Sequence, residues 1–255
     1  MRRIGLALLA SIALIGSAAA ADLPVKAPVY KAPVIAPPYN WTGFYIGLNA
    51  GGSWGHQDND LVTVPGGVTL LSNSDNLDGF IGGGQIGYNW QVNQWVLGIE
   101  ADFQGSAQKG DGSFATTTIP AGFFAAALTP VNITNAYTDK LNWFGTVRGR
   151  LGWAFDRWMP YITGGWAYGH GEISGTSTIS GGSAGSSSFS ASQNYSGWTI
   201  GGGVEWAFYN NWSAKLEYLY IDFGDGPTVA VDPIHNIVSG RMTDNIARLG
   251  VNYKF

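Results

Sequence analysis

The feature that most constrains the fold of this chain is an alternation of apolar and polar side chains. Between Leu141 and Phe155 every second residue is apolar or glycine, whereas the residues between them include Arg148 and Arg150. A period of two is typical of a β-strand, whose successive side chains point to opposite faces. A helix would place Arg148 beside Leu151 and would show no continuous apolar stripe. We therefore predict a strand over this segment.

The same alternation predicts seven further strands. Their apolar faces are dominated by Trp, Tyr, Leu and Ile, and no position on them is charged. The chain has no stretch of 18 apolar residues after its N-terminus, so the pattern favours strands over a helical membrane span. The seven strands cover 44–50, 80–90, 95–103, 162–168, 198–208, 212–220 and 247–255.

The connections between these strands alternate between short and long. Short turns on one edge and long loops on the other are typical of outer-membrane barrels, in which the short turns are periplasmic. We predict an all-β fold, an eight-stranded antiparallel transmembrane β-barrel with short periplasmic turns and four long extracellular loops. The expected turns are 91–94, 156–157 and 209–211, and the expected loops are 55–77, 105–139, 170–195 and 224–243.

The faces opposite the apolar ones carry most of the strand charges, with equal numbers of acids and bases. Eight strands enclose a space just wide enough for side chains, so the bulky aromatic faces must point outward into lipid. We therefore expect the charges to fill the interior as ion pairs rather than to line a pore. Ile81, Phe144, Leu219 and Ile221 also fall on this inner face and break its polar pattern. The expected network is Glu100, Asp102, Arg148, Arg150, Glu205, Lys215, Glu217 and Arg248.

Tryptophan is abundant, with 11 residues, and those beside the short turns predict an aromatic girdle at the periplasmic interface. We assign Trp90, Trp95, Trp158 and Trp212 to this girdle. The chain has no Cys, which excludes disulfides, thiolate zinc sites and a lipid-modified cysteine. Its net charge of −4 gives no reason to expect nucleic-acid binding.

The N-terminus has the three parts of a secretory signal. Met1-Arg2-Arg3 is positive, residues 4–16 are apolar, and Ala18-Ala19-Ala20 supplies small residues for cleavage between Ala20 and Ala21. A mature chain that starts at Asp22 is the alternative. Closely spaced prolines then favour an extended segment. We predict a signal peptide over 1–20, a Pro-rich periplasmic linker over 21–40 and the barrel over 41–255.

Several motifs resemble those of a known family. They are Asp22-Leu23-Pro24, Trp41-Thr42-Gly43-Phe44-Tyr45-Ile46-Gly47, Thr163-Gly164-Gly165-Trp166-Ala167-Tyr168 and the ending Arg248-Leu249-Gly250-Val251-Asn252-Tyr253-Lys254-Phe255. Together they resemble the alphaproteobacterial opacity-type outer-membrane porin family, with its small OmpA-like eight-stranded barrel.

The resemblance implies a location in the cell outer membrane, with outer-membrane lipid and lipopolysaccharide as surroundings. It also implies that Tyr253 and Phe255 form the signal read by the outer-membrane assembly machinery. Family roles include envelope integrity, surface antigens and small pores. The expected function is a non-enzymatic structural barrel. A narrow channel for small solutes, and an adhesin whose loops (the apolar segment 119–128 among them) meet a host or environmental ligand, remain alternatives.

The sequence contains matches to catalytic and cofactor-binding motifs, but their positions do not suit such sites. The G-x-G-x-x-G match at Gly82–Gly87 lies inside a strand, whereas a dinucleotide site needs a helix after it. The G-x-S-x-G match at Gly181–Gly185 lies in a Ser/Gly-rich tract, 174–192, that we expect to be a flexible loop. We expect the acidic clusters Asp58-Asn59-Asp60 and Asp75-Asn76-Leu77-Asp78 to be solvated, with weak divalent-ion contact to lipopolysaccharide phosphates as the alternative. We predict no cofactor, metal or catalytic residue, and keep a lipid-modifying enzyme with His170 or His235 as an alternative.

Overall fold

The computed structural model describes residues 38–63, 66–67, 69–119, 131–181, 185–232 and 235–255. The predicted signal peptide with Ala20 and Ala21, most of the linker and most of segment 119–128 lie outside these residues. The described residues contain no helix that is long and apolar enough to cross a membrane.

The described residues form one antiparallel sheet that closes on itself. Its strands follow the order β1-β2-β3-β4-β5-β6-β7-β9, and β1 pairs with β9 to complete the ring. The short β8 continues after β7 along the same edge of β9, so the ring has eight strands. The predicted eight-stranded antiparallel barrel is confirmed. The strands are β1 (Gly43–Thr63), β2 (Thr69–Val92), β3 (Trp95–Ile119), β4 (Val131–Trp153), β5 (Trp158–Ser180), β6 (Gly185–Tyr209), β7 (Trp212–Asp225), β8 (Thr228–Asp232) and β9 (His235–Lys254).

Three short turns lie together at one edge of the barrel. Asn93, Asp156 and Asn210 have positive φ angles of 55°, 52° and 33° in these turns. Tight hairpins need such left-handed residues, and Asn and Asp adopt that conformation more easily than most side chains. This edge is the predicted periplasmic one.

The strands are much longer than a membrane requires. β3 has 25 residues, which at a tilt of about 40° rise roughly 60 Å, about twice the thickness of the hydrocarbon core. Much of each predicted long loop is therefore paired strand. Pairing continues from Gly55↔Leu77 to Val62↔Thr69 in one hairpin and from His170↔Asn194 to Ile179↔Gly185 in another.

The prediction of a flexible loop over 174–192 is therefore wrong for most of that segment, which is paired strand. Ser174, Thr176 and Thr178 on β5 pair with Ser190, Ser188 and Ser186 on β6. The physical reason is that the two faces exchange character outside the membrane. There the polar side chains point outward into water and the apolar ones point inward, so a Ser/Gly-rich sequence still builds a half-buried sheet.

The barrel interior is layered along its axis. An apolar cluster that includes Trp41, Val96 and Met159 fills the end beside the short turns. The charged residues come next, followed by a second apolar cluster that includes Phe144 and Leu219. A third cluster fills the extracellular half, and polar residues separate it from the second. The third cluster consists of Leu61, Phe114, Tyr137, Ile173, Val229, Val231 and Ile237.

Candidate functional site in the barrel interior

The register of the strands places acids opposite bases. Glu100 on β3 lies opposite Arg148 on β4, and Glu217 on β7 lies opposite Arg248 on β9. The period of two turns all four side chains inward, where each is at most 2% exposed. Because the barrel is narrow, side chains from strands that are not neighbours also meet.

Arg148 contacts three carboxylates. Its Nη2 donates to Glu100 Oε1 at 2.5 Å and to Asp102 Oδ2 at 2.9 Å, and its Nη1 donates to Glu217 Oε1 at 3.0 Å. Its Nε donates to Thr146 Oγ1 at 2.9 Å. Every nitrogen of the guanidinium therefore has a partner, as a buried charge requires.

Arg248 and Lys215 complete the centre of the network. Arg248 Nη2 donates to Asp102 Oδ2 at 2.8 Å, and its Nε donates to Glu217 Oε2 at 2.7 Å. Lys215 Nζ donates to both oxygens of Glu100, at 2.8 and 3.0 Å. In the β6–β7 pairing Lys215 lies opposite Glu205, but its ammonium group reaches across the lumen and contacts Glu100 of β3 instead.

Arg150 and Glu205 form the part of the network nearest the short turns. Arg150 Nη2 donates to Glu205 Oε2 at 2.6 Å, and the guanidinium lies 4.2 Å from the centre of the Tyr161 ring. Glu205 Oε1 also accepts hydrogen bonds from Ser213 Oγ and Asn252 Nδ2. All eight residues of the predicted network thus lie inside the barrel in one connected set.

The network also contains two tyrosines that were not among the eight residues predicted from the sequence. Tyr45 donates from its hydroxyl to Glu100 Oε2 at 2.7 Å, and Tyr161 donates to Glu217 Oε1 at 2.9 Å. Both fall on the inward face of their strands by the same alternation, which is the signal that could have found them. Their phenol groups satisfy carboxylate lone pairs without adding charge.

A second polar cluster, in the extracellular half of the barrel, was missed because its residues were assigned to loops. Asn59 Nδ2 donates to Asp75 Oδ2 and Asp139 Oδ2, both at 3.0 Å, and Tyr137 donates to Asp75 Oδ2 at 2.5 Å. Asp75, expected to be solvated, is only 6% exposed because β2 turns it inward. Burial, with a smaller effect from the Asp75 charge, raises the pKa of Asp139 to about 7.

The predicted girdle tryptophans lie on the outer face near the short turns. Trp90, Trp95, Trp158 and Trp212 are between 43% and 61% exposed. Three of them contact aromatic residues on neighbouring strands: Trp95 contacts Trp153, Trp212 contacts Tyr253, and Trp158 stacks on Trp206 with 5.4 Å between ring centroids. Such a belt suits the membrane–water interface.

Trp41 is an exception to the outward placement of tryptophan. It is 2% exposed inside the barrel end, where its Nε1 donates to the Asp156 carbonyl at 3.1 Å. Its backbone N–H donates to Gln91 Oε1 at 2.8 Å. The first strand turns its odd-numbered residues inward, and Trp41 continues that parity.

The last strand brings the C-terminus beside the start of β1. Tyr253 lies opposite Ile46, and the backbone N–H of Phe255 donates to the Phe44 carbonyl at 2.9 Å. The rings of Phe255 and Phe44 are 5.8 Å apart, and both are exposed on the outer face. The proposed assembly residues therefore sit on the seam that closes the barrel.

The histidines and glycine motifs take structural positions. His170 Nδ1 lies 2.8 Å from Asn194 Oδ1, and the imidazole stacks on Trp143. His56 Nδ1 lies 3.2 Å from Asn76 Oδ1, and His235 is buried at the start of β9. Gly82–Gly87 lies within β2, as expected, and the G-x-S-x-G match lies partly outside the described residues.

The chain is similar to several known outer-membrane proteins. The 31 kDa outer-membrane immunogenic protein of Brucella melitensis biotype 1 is 40% identical over 97% of this chain and 98% of its own length. The 22 kDa outer membrane protein of Rhizobium leguminosarum bv. viciae is 28% identical over 88% of this chain and 82% of its own. The crystal structure of OprG from Pseudomonas aeruginosa covers 85% of this chain and 98% of its own, with 11% identity and a TM-score of 0.43.

A family model, described as the outer membrane protein beta-barrel domain, matches residues 6–255, nearly the whole chain. That match agrees with the closed ring of strands, and the Brucella protein is similar over almost the whole chain. The chain therefore belongs to the outer membrane protein β-barrel family and is an integral protein of the outer membrane.

Proposed function

We propose that this protein is a closed, non-enzymatic barrel that contributes to the structure of the cell envelope and presents its extracellular strands at the cell surface. The observation that carries the proposal is the apolar cluster between the charge network and the extracellular side. Leu141, Phe144, Leu219, Ile221 and Ile246 are each completely buried within it. Apolar side chains packed across a narrow lumen leave ions no hydrated path.

The charge network supports the same proposal. Pores for ions line a water-filled channel with charges, whereas here the acids and bases neutralise one another at hydrogen-bonding distance. We propose that these buried ion pairs specify which strands face each other, since such pairs add little net stability over apolar packing. The network therefore acts as a polar core for the membrane-spanning part of the barrel.

Conductance tests the proposal against a narrow channel. Purified protein, shown by heat-modifiable gel migration to be folded, is added to planar lipid bilayers, with a general porin as a positive control. We expect no conductance steps from this protein at concentrations at which the porin control produces them. Steps that scale with the amount of protein would establish the channel alternative.

The position of His170 supports the non-enzymatic assignment. Its ring is held between Trp143 and Asn194, so it serves packing at the outer rim rather than activation of a nucleophile. Mass spectrometry of lipid A from cells with and without the protein tests this. Identical lipid A profiles are expected, and a modification that requires His170 would show an enzyme.

Surface presentation is supported by the height of the strands and by a relative. The hairpins rise well beyond the aromatic belt, and the similar Brucella protein is named an outer-membrane immunogenic protein. We propose that the extracellular half of this barrel is likewise accessible to antibodies. Binding of conformation-specific antibodies to intact cells tests it, and binding only to lysed cells would contradict it.

We further propose that residues 1–20 direct export and are removed between Ala20 and Ala21, leaving the Pro-rich segment 21–40 in the periplasm. The assembly machinery then recognises the C-terminal strand through Tyr253 and Phe255, which lie on the closing seam. Intact-mass measurement of the mature protein tests the cleavage. Deletion of Phe255 is expected to leave unfolded protein in the periplasm, whereas Lys254→Gln is expected to assemble.

A further inference from the structure

The outer face of β3–β6, just beyond the aromatic belt, carries three successive layers of side chains: aromatic rings, lysines and hydroxyl groups. At the belt, Phe103 on β3 stacks on Trp143 of β4, with 5.5 Å between ring centroids. Trp143 also stacks on His170 of β5 at 5.9 Å. These rings mark the level at which β3, β4 and β5 leave the hydrocarbon.

Two lysines lie next beyond this level. Lys109 on β3 and Lys140 on β4 are directly opposite each other, and both are exposed. Asp78 and Glu172 are their other cross-strand neighbours, yet neither lysine forms an ion pair within 4.0 Å in the described part of the chain. Two like charges directly opposite on a sheet repel each other unless an anion lies between them.

The remaining extracellular cation behaves differently. Arg241 on β9 forms an ion pair with Asp222 of β7 and donates to it from Nε at 2.9 Å. The outward face of β1 at the same height carries an acid, Asp58, which accepts a hydrogen bond from Ser74. Among the described residues of the extracellular half, the two lysines that lack an ion pair therefore both lie on the β3–β4 face.

Beyond the lysines lies an array of hydroxyl groups in register. Thr138, Ser174 and Ser190 form one row across β4, β5 and β6, and Thr176 and Ser188 lie in the next row. Rows and columns of such an array are spaced by about 4.8 Å between strands and roughly 6.8 Å along them. A shallow groove of about 680 Å³ runs over this array, with Asp111 at its edge bonded to the Thr138 hydroxyl at 2.7 Å.

Each of these three layers fits one part of one molecule. Outward-facing aromatic rings suit acyl chains, and a pair of lysines suits phosphate. A neutral array of hydroxyls both donates to and accepts from sugar hydroxyls. We propose that the face formed by Phe103, Trp143, Lys109, Lys140, Thr176 and Ser188, the glycolipid face, binds lipopolysaccharide. The phosphates of the lipid lie at the lysine pair and the core sugars lie in the hydroxyl groove.

This inference rests on the outer-membrane location and not on the closed lumen, so conductance results leave it unaffected. The test uses the full-length mature protein in detergent micelles. Binding is measured by native mass spectrometry with three probes: lipid A, rough lipopolysaccharide that carries core sugars, and the same rough lipopolysaccharide after dephosphorylation. Heat-modifiable migration confirms that each variant is folded.

The double variant Lys109→Gln/Lys140→Gln removes the two positive charges. We expect its affinity for rough lipopolysaccharide to fall at least about tenfold, because charge-assisted hydrogen bonds to phosphate are lost. Dephosphorylation of the probe is expected to cause the same fall for the unmodified protein and no further fall for the variant. The matched control Arg157→Gln/Lys254→Gln removes two positive charges at the other end of the barrel and is expected to bind normally.

The variant Thr176→Val/Ser188→Ala tests the hydroxyl groove. We expect it to lose the preference for rough lipopolysaccharide over lipid A while its binding of lipid A stays unchanged. Equal binding by the lysine variant and its control would overturn the proposal. So would equal binding of phosphorylated and dephosphorylated probes, which would show general lipid adsorption only.

Discussion

Arg148 and Glu217 face each other across the lumen, with Arg148 Nη1 3.0 Å from Glu217 Oε1, although β4 and β7 are not neighbours in the sheet. A contact of this kind ties opposite walls of the barrel together through side chains alone. Its removal therefore affects the whole ring rather than one strand pair.

Arg148→Ala is expected to lower the free energy of unfolding by about 3–5 kcal/mol, because Glu100, Asp102 and Glu217 would be left buried with less positive charge. Urea unfolding in lipid or detergent, followed by tryptophan fluorescence, measures the change. Arg157→Ala at the exposed turn is the control and should stay within about 0.5 kcal/mol of the unmodified protein. A stable Arg148→Ala protein with increased conductance would show instead that the network is a gate.

The lumen is expected to open only when side chains of the apolar cluster that contains Phe144 are truncated. Leu141→Ala/Phe144→Ala shortens two completely buried side chains, whereas Arg148→Ala leaves that cluster in place. Planar-bilayer recordings should show conductance for the double variant and none for Arg148→Ala. Each apolar truncation also costs about 2–5 kcal/mol, so folded protein must be selected by gel migration first. A folded double variant that stays closed would place the barrier elsewhere in the barrel.

Stability of the extracellular half is expected to depend on pH through Asp139, which lies beyond the membrane level marked by Trp143. Burial raises the pKa of this carboxyl to about 7 in the folded protein, against 3.8 ordinarily. The folded state therefore holds a proton that the unfolded chain has lost, and stability falls as pH rises from about 4 to about 7, then levels off. The loss is at most about 4 kcal/mol.

Hydrogen exchange of the β4 and β5 hairpin between pH 4.5 and 8, corrected for the intrinsic exchange rate, measures this dependence. The groups that face Asp139 are Asp75, Asn59 and Tyr195, from β2, β1 and β6. Asp139→Asn keeps the shape of the protonated carboxyl and should flatten the pH dependence. An unchanged slope in that variant would assign the effect to another group.

Two adjacent glycines on β2 are expected to tolerate alanine very differently. A Cβ at Gly83 would collide with the Phe103 carbonyl oxygen on β3 and with the Gln104 side chain. A Cβ at Gly82 would point into lipid, with its nearest neighbour, the Asn49 carbonyl oxygen, 3.8 Å away. Gly83→Ala should reduce the yield of folded barrel severalfold in refolding assays, whereas Gly82→Ala should match the unmodified protein. Equal yields would mean that the two strands can separate without cost.

The membrane-spanning half could be predicted from the sequence because one rule governs it. Apolar residues point out and charged residues point in, so the positions of Arg148, Arg150 and Glu100 followed from parity alone. Ile81, Phe144, Leu219 and Ile221 broke that rule in the sequence, and the structure shows why: together they belong to the apolar cluster that fills the lumen. Which carboxylate each base reaches, as with Lys215 and Glu100, depends on distances across the lumen that no local pattern contains.

The extracellular half was harder because the rule reverses there. Tyr137 and Ile173 point in and Thr138 and Ser174 point out, so the alternation continues with the opposite sign. Serine and glycine are weak indicators of strand, and pairing with neighbouring hairpins decides their conformation. Asp75 was therefore assigned to solvent although β2 turns it inward.

Continuous pairing above the membrane has an immunological consequence. Thr138, Ser174 and Ser190 are neighbours on the surface, but they come from three strands. An epitope on this face is therefore assembled only when the hairpins are folded side by side. Synthetic peptides that copy a single segment, such as 174–192, would not reproduce it, and an immunogen would have to be the folded barrel.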